Sequence, residues 1–401
     1  MQNNILYLSL TGMTEALGKS QVISYLKPLS KKNKIYLISF ERTIKKFKKD
    51  DLHSLLSSEG IIWVPLKYSN RFGIFSTLRQ IFSCFIIGLY IVLRHKINIV
   101  HARSMIPALM GYLICSLSRA KLLFDIRDFS TDEKVDRGRI KHNSLIYNIL
   151  LKLENHLYKK SDHIVVLTHI SKDILINKFG LTSSNITVVP TCADSDVFYP
   201  ISKEEKYKIR TELNFLDDDF ICIHVGTVTG WYLFDQELIF FKELKKHRDN
   251  AKFLILNQGQ HDYIKTKLIE FKIDQNDIVL LEVEFEDVNK YINISNVALY
   301  FIIPSYSKKA AAPTKYAEFV RVNLPSITNA GVGDMEQYIN KYKTGVIVDP
   351  YNINTYIVAS TLATLDALNT NKNFKDLYEG SFSIKVAVNK YQNIYDELSN
   401  E

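Results

Sequence analysis

The sequence predicts an α/β protein of two Rossmann-like domains, each built on a parallel sheet. Two observations carry this. Short apolar runs rich in β-branched residues recur along the chain, each followed by a longer stretch with helical spacing, which signals βαβ units. The series also runs twice, interrupted once by a polar stretch between prolines, in a chain of 401 residues that is too long for one ordinary core.

In the first series the strands are expected at residues 5–10, 35–40, 61–66, 97–101, 122–125, 164–167 and 186–189. Helical stretches lie between most of them; in 21–31, Val22, Ile23, Leu26 and Leu29 form one apolar stripe. From Pro190 to Pro200 the periodicity stops, and a charged segment, 203–210, follows. The linker is placed here, giving domains 1–195 and 196–382. The second series has strands at 220–225, 253–257, 278–281, 298–303, 326–329 and 345–348. A loose stretch around 374–380 precedes a last helical pattern, 383–398, and residues 383–401 are expected to pack back on the first domain.

Composition bounds the partners. Apolar residues make up 46% and charged residues 23%, as in folded globular proteins and unlike disordered or collagenous chains. The net charge of +8 suits an anionic partner: a nucleoside diphosphate, nucleic acid or acidic headgroups. No basic, aromatic-rich cluster falls on one element, which argues against RNA. Cys84, Cys115, Cys192 and Cys222 lack CxxC or zinc-finger spacing and read as reduced core residues of a cytoplasmic protein. The amino terminus reads as a first strand and not as a secretion signal. The run 81–93 (IFSCFIIGLYIVL), flanked by Arg71, Arg79, Arg94, His95 and Lys96, is apolar for thirteen residues, short of the roughly 20 that cross a bilayer. It reads as a helix packed on the sheet, and also as one able to lie on a membrane surface.

Fold does not fix function, so the loops at the carboxyl ends of the strands must. Thr11-Gly12-Met13-Thr14-Glu15-Ala16-Leu17-Gly18-Lys19-Ser20 lacks the GxGxxG of a dinucleotide loop and has one residue too many for a P-loop. It remains a glycine loop that could bring Gly18 and its backbone near a diphosphate. The strand ends His101-Ala102-Arg103-Ser104 and Asp125-Ile126-Arg127-Asp128 bring His101, Arg103, Asp125, Arg127 and Asp128 to a site, or to mutual ion pairing that stiffens the loops. In the second half, Val225-Gly226-Thr227-Val228-Thr229-Gly230 precedes a helix and offers free amides to an anion. Pro313-Thr314-Lys315-Tyr316-Ala317-Glu318 sets Lys315 and Glu318 on one helical face, as site residues or as a local salt bridge. Asp194-Ser195-Asp196 lies between prolines in the linker and reads as turn chemistry, not as a metal motif.

The 313–319 segment with Leu324-Pro325, Thr328-Asn329 and Gly331-Val332-Gly333-Asp334 resembles the donor-binding segment of GT-B glycosyltransferases of family 4. So do Leu8-Ser9-Leu10 with Gly18-Lys19-Ser20-Gln21, the strand ends at His101 and Asp125, and the linker from Val189 through Pro190 to Phe198 and Pro200. The resemblance covers nearly the whole chain. It implies the GT-B fold, two domains facing a central cleft, and a retaining transferase that moves a sugar from a nucleoside diphosphate sugar to a glycan or lipid-linked acceptor. It further implies a place in bacterial surface polysaccharide or glycoconjugate synthesis, in the cytoplasm or at the inner face of the membrane. Donor contacts would come mainly from the second domain and acceptor contacts from the first. Substrate binding falls to Gly18, His101, Arg103, Gly226, Thr227, Thr314, Lys315, Glu318 and Gly331, and catalysis to Arg127, Asp128 and Lys315. Glu318 would hold the ribose and Lys315 the diphosphate, with no metal or cofactor and no nucleic-acid partner. Two positions depart from the family pattern: Ala310 stands eight before Glu318, where a first glutamate is usual, and Arg127 stands where a histidine is frequent. The competing readings are a nucleotide-sugar epimerase or hydrolase on the same fold, and a non-catalytic GT-B scaffold.

Overall fold

The computed structural model describes residues 2–42, 46–361 and 372–400. The chain forms two compact units. One comprises Met1–Pro190 with Tyr306–Ala311 and Ile384–Glu401, and the other comprises Thr191–Ser305 and Ala312–Ser383.

The first unit holds β1 (Asn3–Ser9), β2 (Asn33–Glu41), β3 (Ile61–Lys67), β4 (Ile99–Arg103), β5 (Lys121–Asp125), β6 (His163–Val166) and β7 (Ile186–Val188). They form one sheet in the order β3-β2-β1-β4-β5-β6-β7, with every pair parallel. Parallel sheets are covered on both faces, which explains the near-continuous apolar runs. Side chains alternate across the sheet. Leu6 and Leu8, Val100 and Ala102, Leu122 and Phe124 share one core with Cys84 and Ile91 of the helix Ile74–His95 and with Ile114 of the helix Met105–Cys115. Tyr7, His101 and Asp125 point the other way, toward the carboxyl-terminal helix Ile384–Asn400. A Cβ on Gly88 would come within 2.5 Å of Ile114 Cδ1, so glycine there lets the 74–95 helix press on its neighbour without displacing the tip of that side chain.

The second unit holds β8 (Phe220–Val225), β9 (Ala251–Leu256), β10 (Ile278–Leu281), β11 (Val297–Leu299), β12 (Ser326–Asn329) and β13 (Gly345–Val348). Their order is β10-β9-β8-β11-β12-β13, again parallel throughout. In both sheets the order reverses beside the first strand of its series, between β1 and β4 and between β8 and β11. Ligand sites of open α/β sheets lie at the carboxyl ends there.

Four expectations are corrected. The strand expected over 298–303 stops at Leu299, because the Asn329 carboxamide takes over the backbone of Ile302, accepting from its N–H at 2.8 Å and donating to its carbonyl at 2.9 Å. The stretch 374–380, read as loose, is helical over Lys372–Leu377 and continues as a wider turn over Tyr378–Phe382, with Phe374, Leu377 and Phe382 buried. The segment Tyr306–Ala311, assigned by sequence to the second domain, belongs to the first unit. Tyr306 stacks on Phe129 with centroids 5.9 Å apart, the Ser307 amide donates to Asp136 at 2.9 Å, and Ala310 sits in the core. The apolar run 81–93 lies inside a helix of 22 residues, whose described part is long and apolar enough by composition to cross a membrane.

Candidate functional site

In the second unit the residues converge where β8 ends. Gly226 takes φ +101°, a conformation that favours glycine, and turns the chain out of the sheet. Gln260, just beyond β9, then holds the loop. Its carbonyl accepts from the Val228 amide at 3.0 Å and the Thr227 hydroxyl at 2.8 Å, its amide donates to Thr229 Oγ1 at 2.6 Å, and Asn257 Nδ2 donates to the Gly226 carbonyl at 2.9 Å. Beneath the loop, His224 Nδ1 lies 2.7 Å from Glu237 Oε2, and the other Glu237 oxygen accepts from the Phe301 amide at 3.1 Å.

Against this loop stands the helix Thr314–Arg321, entered through Pro313. Lys315 and Glu318 are both only 7% exposed. Lys315 Nζ donates to the Val225 carbonyl at 2.5 Å and lies 4.0 Å from the centroid of the Tyr232 ring. A Cβ on Gly226 would be 3.7 Å from that ammonium, so Gly226, Thr227 and Lys315 form one corner. Among the described residues no ion pair joins Lys315 to Glu318, so the local salt bridge is not what the pair makes. Burial pushes the Glu318 carboxyl up to about 7, with Lys315 opposing. Gly331, past β12, has φ +86°, and a Cβ there would lie 2.9 Å from Pro304 Cβ. The Gly331 backbone therefore lies closely against the Pro304 ring where the two neighbouring strand-exit loops meet. An ammonium and the first turn of a helix provide positive potential in one place, and a buried carboxyl three residues on offers hydrogen-bond acceptors. The loop amides expected to be free are corrected, since that of Gly226 donates to the Leu256 carbonyl at 2.8 Å and that of Val228 to Gln260.

The first unit gathers a second constellation at the ends of β1, β4 and β5. His101 Nδ1 lies 2.7 Å from the Tyr395 hydroxyl and its Nε2 lies 3.5 Å from Asp125 Oδ2. The same carboxylate oxygen pairs with Arg127 at 3.0 Å and accepts from the Tyr391 hydroxyl at 3.3 Å. Burial alone would raise Asp125, but Arg127, His101 and Arg103 together outweigh it and hold the carboxyl low. Burial lowers His101 despite Asp125, so the ring is neutral. Both ring nitrogens of His101 thus face partners inside the first unit and not an open loop. Arg103 donates to Thr11 Oγ1 at 3.2 Å; burial and then the nearby Arg127 pull it down. Asp128 is raised by burial and Glu133 against Lys134, Lys308 and Arg103, which suits a group able to carry a proton. Ser104 has φ +76°, ψ 170°, a region nearly reserved for glycine, and ties the end of β4 to β5 through its amide and the Asp125 carbonyl at 2.8 Å.

The first glycine loop is also corrected. The amides offered to a phosphate are taken by the protein's own Glu41, which accepts from the Met13 amide at 2.8 Å and from the Thr14 hydroxyl at 3.1 Å. A Cβ on Gly18 would fall 2.0 Å from the Gly12 carbonyl oxygen, so Gly18 serves close packing of the turn. Asp194 and Asp196 form a turn in which Asp194 Oδ1 accepts from the Asp196 amide at 3.0 Å. Among the described residues no group of three or more His, Cys, Asp or Glu could hold a metal. Sequence reasoning missed Gln260, Asn257, Tyr391 and Tyr395. Asn257 and Gln260 could have been found as polar groups at the end of β9, whereas the tyrosines reach the site only through the packing of the last helix.

Each unit is thus built on a parallel sheet, and the second sets a cation, a carboxyl and a glycine loop at its switch point. Residues 36–197 match the model of Glycosyltransferase Family 4 and residues 205–376 that of Glycosyl transferases group 1. The chain belongs to the GT-B glycosyltransferases of family 4. It is 25% identical over 228 residues to an uncharacterised glycosyltransferase of Methanocaldococcus jannaschii, covering 52% of each chain; it thus spans about half the length of that curated relative. Its fold is similar to that of sucrose-phosphate synthase from Thermosynechococcus elongatus (TM-score 0.74, 14% identity, 100% of both chains). It is also similar to Anabaena HepE, solved with UDP and glucose (TM-score 0.71, 15% identity, 99% of both chains).

Proposed function

We propose that the protein is a retaining glycosyltransferase that moves a sugar from a nucleoside diphosphate sugar to a glycan or lipid-linked acceptor, as in the making of surface polysaccharides or glycoconjugates on the cytoplasmic side of a membrane. The observation that carries the reading is the corner of Lys315, Gly226 and Thr227 with Glu318 buried on the same helix. A departing diphosphate gains charge as the glycosidic bond breaks, and a preplaced ammonium at a helix start stabilises that charge without reorganisation. Glu318 accepts from the ribose hydroxyls, and Thr314 and Gly331 border the diphosphate. That HepE was solved with UDP supports a nucleotide at such a site. In retaining transfer the leaving phosphate takes the acceptor's proton on the same face. Arg127, held by Asp125, and Asp128 are proposed to orient the acceptor. Ala310 is buried in the core of the first unit, so the contact that a first glutamate makes with the sugar is supplied by another group. No metal or cofactor enters this scheme.

Thermal unfolding in the presence of UDP-, GDP-, TDP- and ADP-linked sugars tests the donor class, because a ligand at a hundred times its Kd adds about 2.7 kcal/mol of stability. One series is expected to raise Tm by several degrees; no shift with any would favour a non-catalytic scaffold. Turnover of donor without acceptor would favour an epimerase or hydrolase.

A further inference from the structure

The outward face of the helix Ile74–His95 reverses the usual pattern. Surface helices turn charged and polar residues to water, but here Phe75, Leu78, Phe82, Ile86, Tyr90 and Leu93 are each at least half exposed. They recur at the helical period, so they form one continuous stripe. The helix Met105–Cys115 packs beside it and the helix Leu145–Lys160 beyond that. These continue the apolar surface with Leu113, then with Leu145, Ile146 and Ile149, while Leu117 adds to it just past the middle helix. An apolar surface of this extent marks an interaction site.

Charge identifies the occupant. From Gly60 to Phe124 there is no Asp or Glu, while Arg71, Arg79, Arg94, Lys96 and Arg119 all lie in that stretch and are exposed. The only acid of the 145–160 helix, Glu154, is buried. A protein partner would ordinarily meet a mixed surface; an apolar stripe bordered by these cations fits the boundary between acyl chains and anionic headgroups.

We infer that the face formed by the 74–95, 105–115 and 145–160 helices docks on an anionic lipid bilayer, with the 74–95 helix lying parallel to the membrane plane. The helix has the length to span, but its other side is committed. Ser76, Gln80, Cys84, Gly88 and Val92, four apart, are buried. Gln80 donates to the Ser69 carbonyl at 2.6 Å, and Gly88 presses on Ile114. Withdrawing the helix would uncover Leu6, Leu8, Tyr36 and Ile38 of the sheet.

The inference stands apart from sugar transfer and is tested without any nucleotide sugar. The full chain is expected to co-sediment with phosphatidylcholine vesicles containing 30 mol% phosphatidylglycerol at low salt, and to bind about tenfold more weakly to pure phosphatidylcholine. Replacing Phe75, Phe82 and Tyr90 together by Ser, all exposed so that circular dichroism should be unchanged, is expected to abolish binding. Arg79→Glu with Arg94→Glu is expected to weaken it by tenfold or more. For orientation, Phe75→Trp, Phe82→Trp and Tyr90→Trp are compared by quenching with lipids brominated at two depths: equal shallow quenching supports the in-plane helix, and deep quenching at position 82 alone overturns it in favour of a span. Failure of the wild-type chain to co-sediment, binding undiminished in the serine variant, or a stable dimer in light scattering that the serine changes dissociate would each overturn the inference.

Discussion

Lys315 and Glu318 lie three apart on one helix, yet their surroundings assign them different work. Lys315 rests on the Val225 carbonyl and the Tyr232 ring, so its charge is held where a diphosphate would develop its own. Lys315→Ala is expected to lower kcat by roughly a hundredfold or more, measured in steady-state kinetics on folded protein. Glu318→Gln is expected to raise the donor KM more than it lowers kcat, because the contact it weakens is made alike in ground and transition states. Near-wild-type constants for both would remove the pair from the site. Glu318 also makes a stability prediction. Its folded value of about 7 lies above the ordinary 4.5, so between those values the folded state binds more protons than the unfolded one. Stability then falls as pH rises through that window, and above it the buried charge costs up to about 3 kcal/mol. Glu318→Gln is therefore expected to be more stable than wild type in urea at pH 8, with the difference vanishing near pH 4. A gain in stability together with weaker donor binding is what a site residue shows and a structural residue does not.

At the scale of elements, the strand exits are where local preference is overruled. Ser104 is held at φ +76°, ψ 170° between the end of β4 and the helix Met105–Cys115. Such strain costs on the order of 1–3 kcal/mol, only partly offset by the conformational entropy that glycine loses on folding. Ser104→Gly is expected to stabilise the protein by about 1 kcal/mol in urea, and to lower transfer activity if the forced turn aims Arg103. A destabilised variant would show that the serine side chain repays its own strain. The existence and type of most elements were legible beforehand, since apolar runs of four to eight residues alternating with helical spacing leave few readings. What was not legible were ends decided by one side chain, as when Asn329 captures Ile302 and cuts a strand short. Nor was 374–380, where Phe374, Leu377 and Phe382 are buried but the helical piece is too brief to show a period.

For the whole molecule, the prediction follows from where positive charge is found. The proposed diphosphate is met by Lys315 and a helix start, so transfer is expected to persist in EDTA; loss of activity that manganese restores would overturn this. The doubled alternation of strands and helices, the polar break near Pro190 and the helix that carries Lys315 and Glu318 were all written in the sequence, because periodicity and turn residues act over a few neighbours. Three things were decided only by tertiary structure. Glu41, from β2, fills the amides of the first glycine loop, an outcome set by the pairing of β1 with β2. Tyr391 and Tyr395 reach His101 and Asp125 across more than 260 residues of chain, through a helix whose own pattern shows only that one side is apolar. Tyr306–Ala311 packs into the first unit, although it is flanked in the chain by residues of the second. In each case the partner is chosen by which surfaces meet once the sheets have formed, and no local preference carries that information.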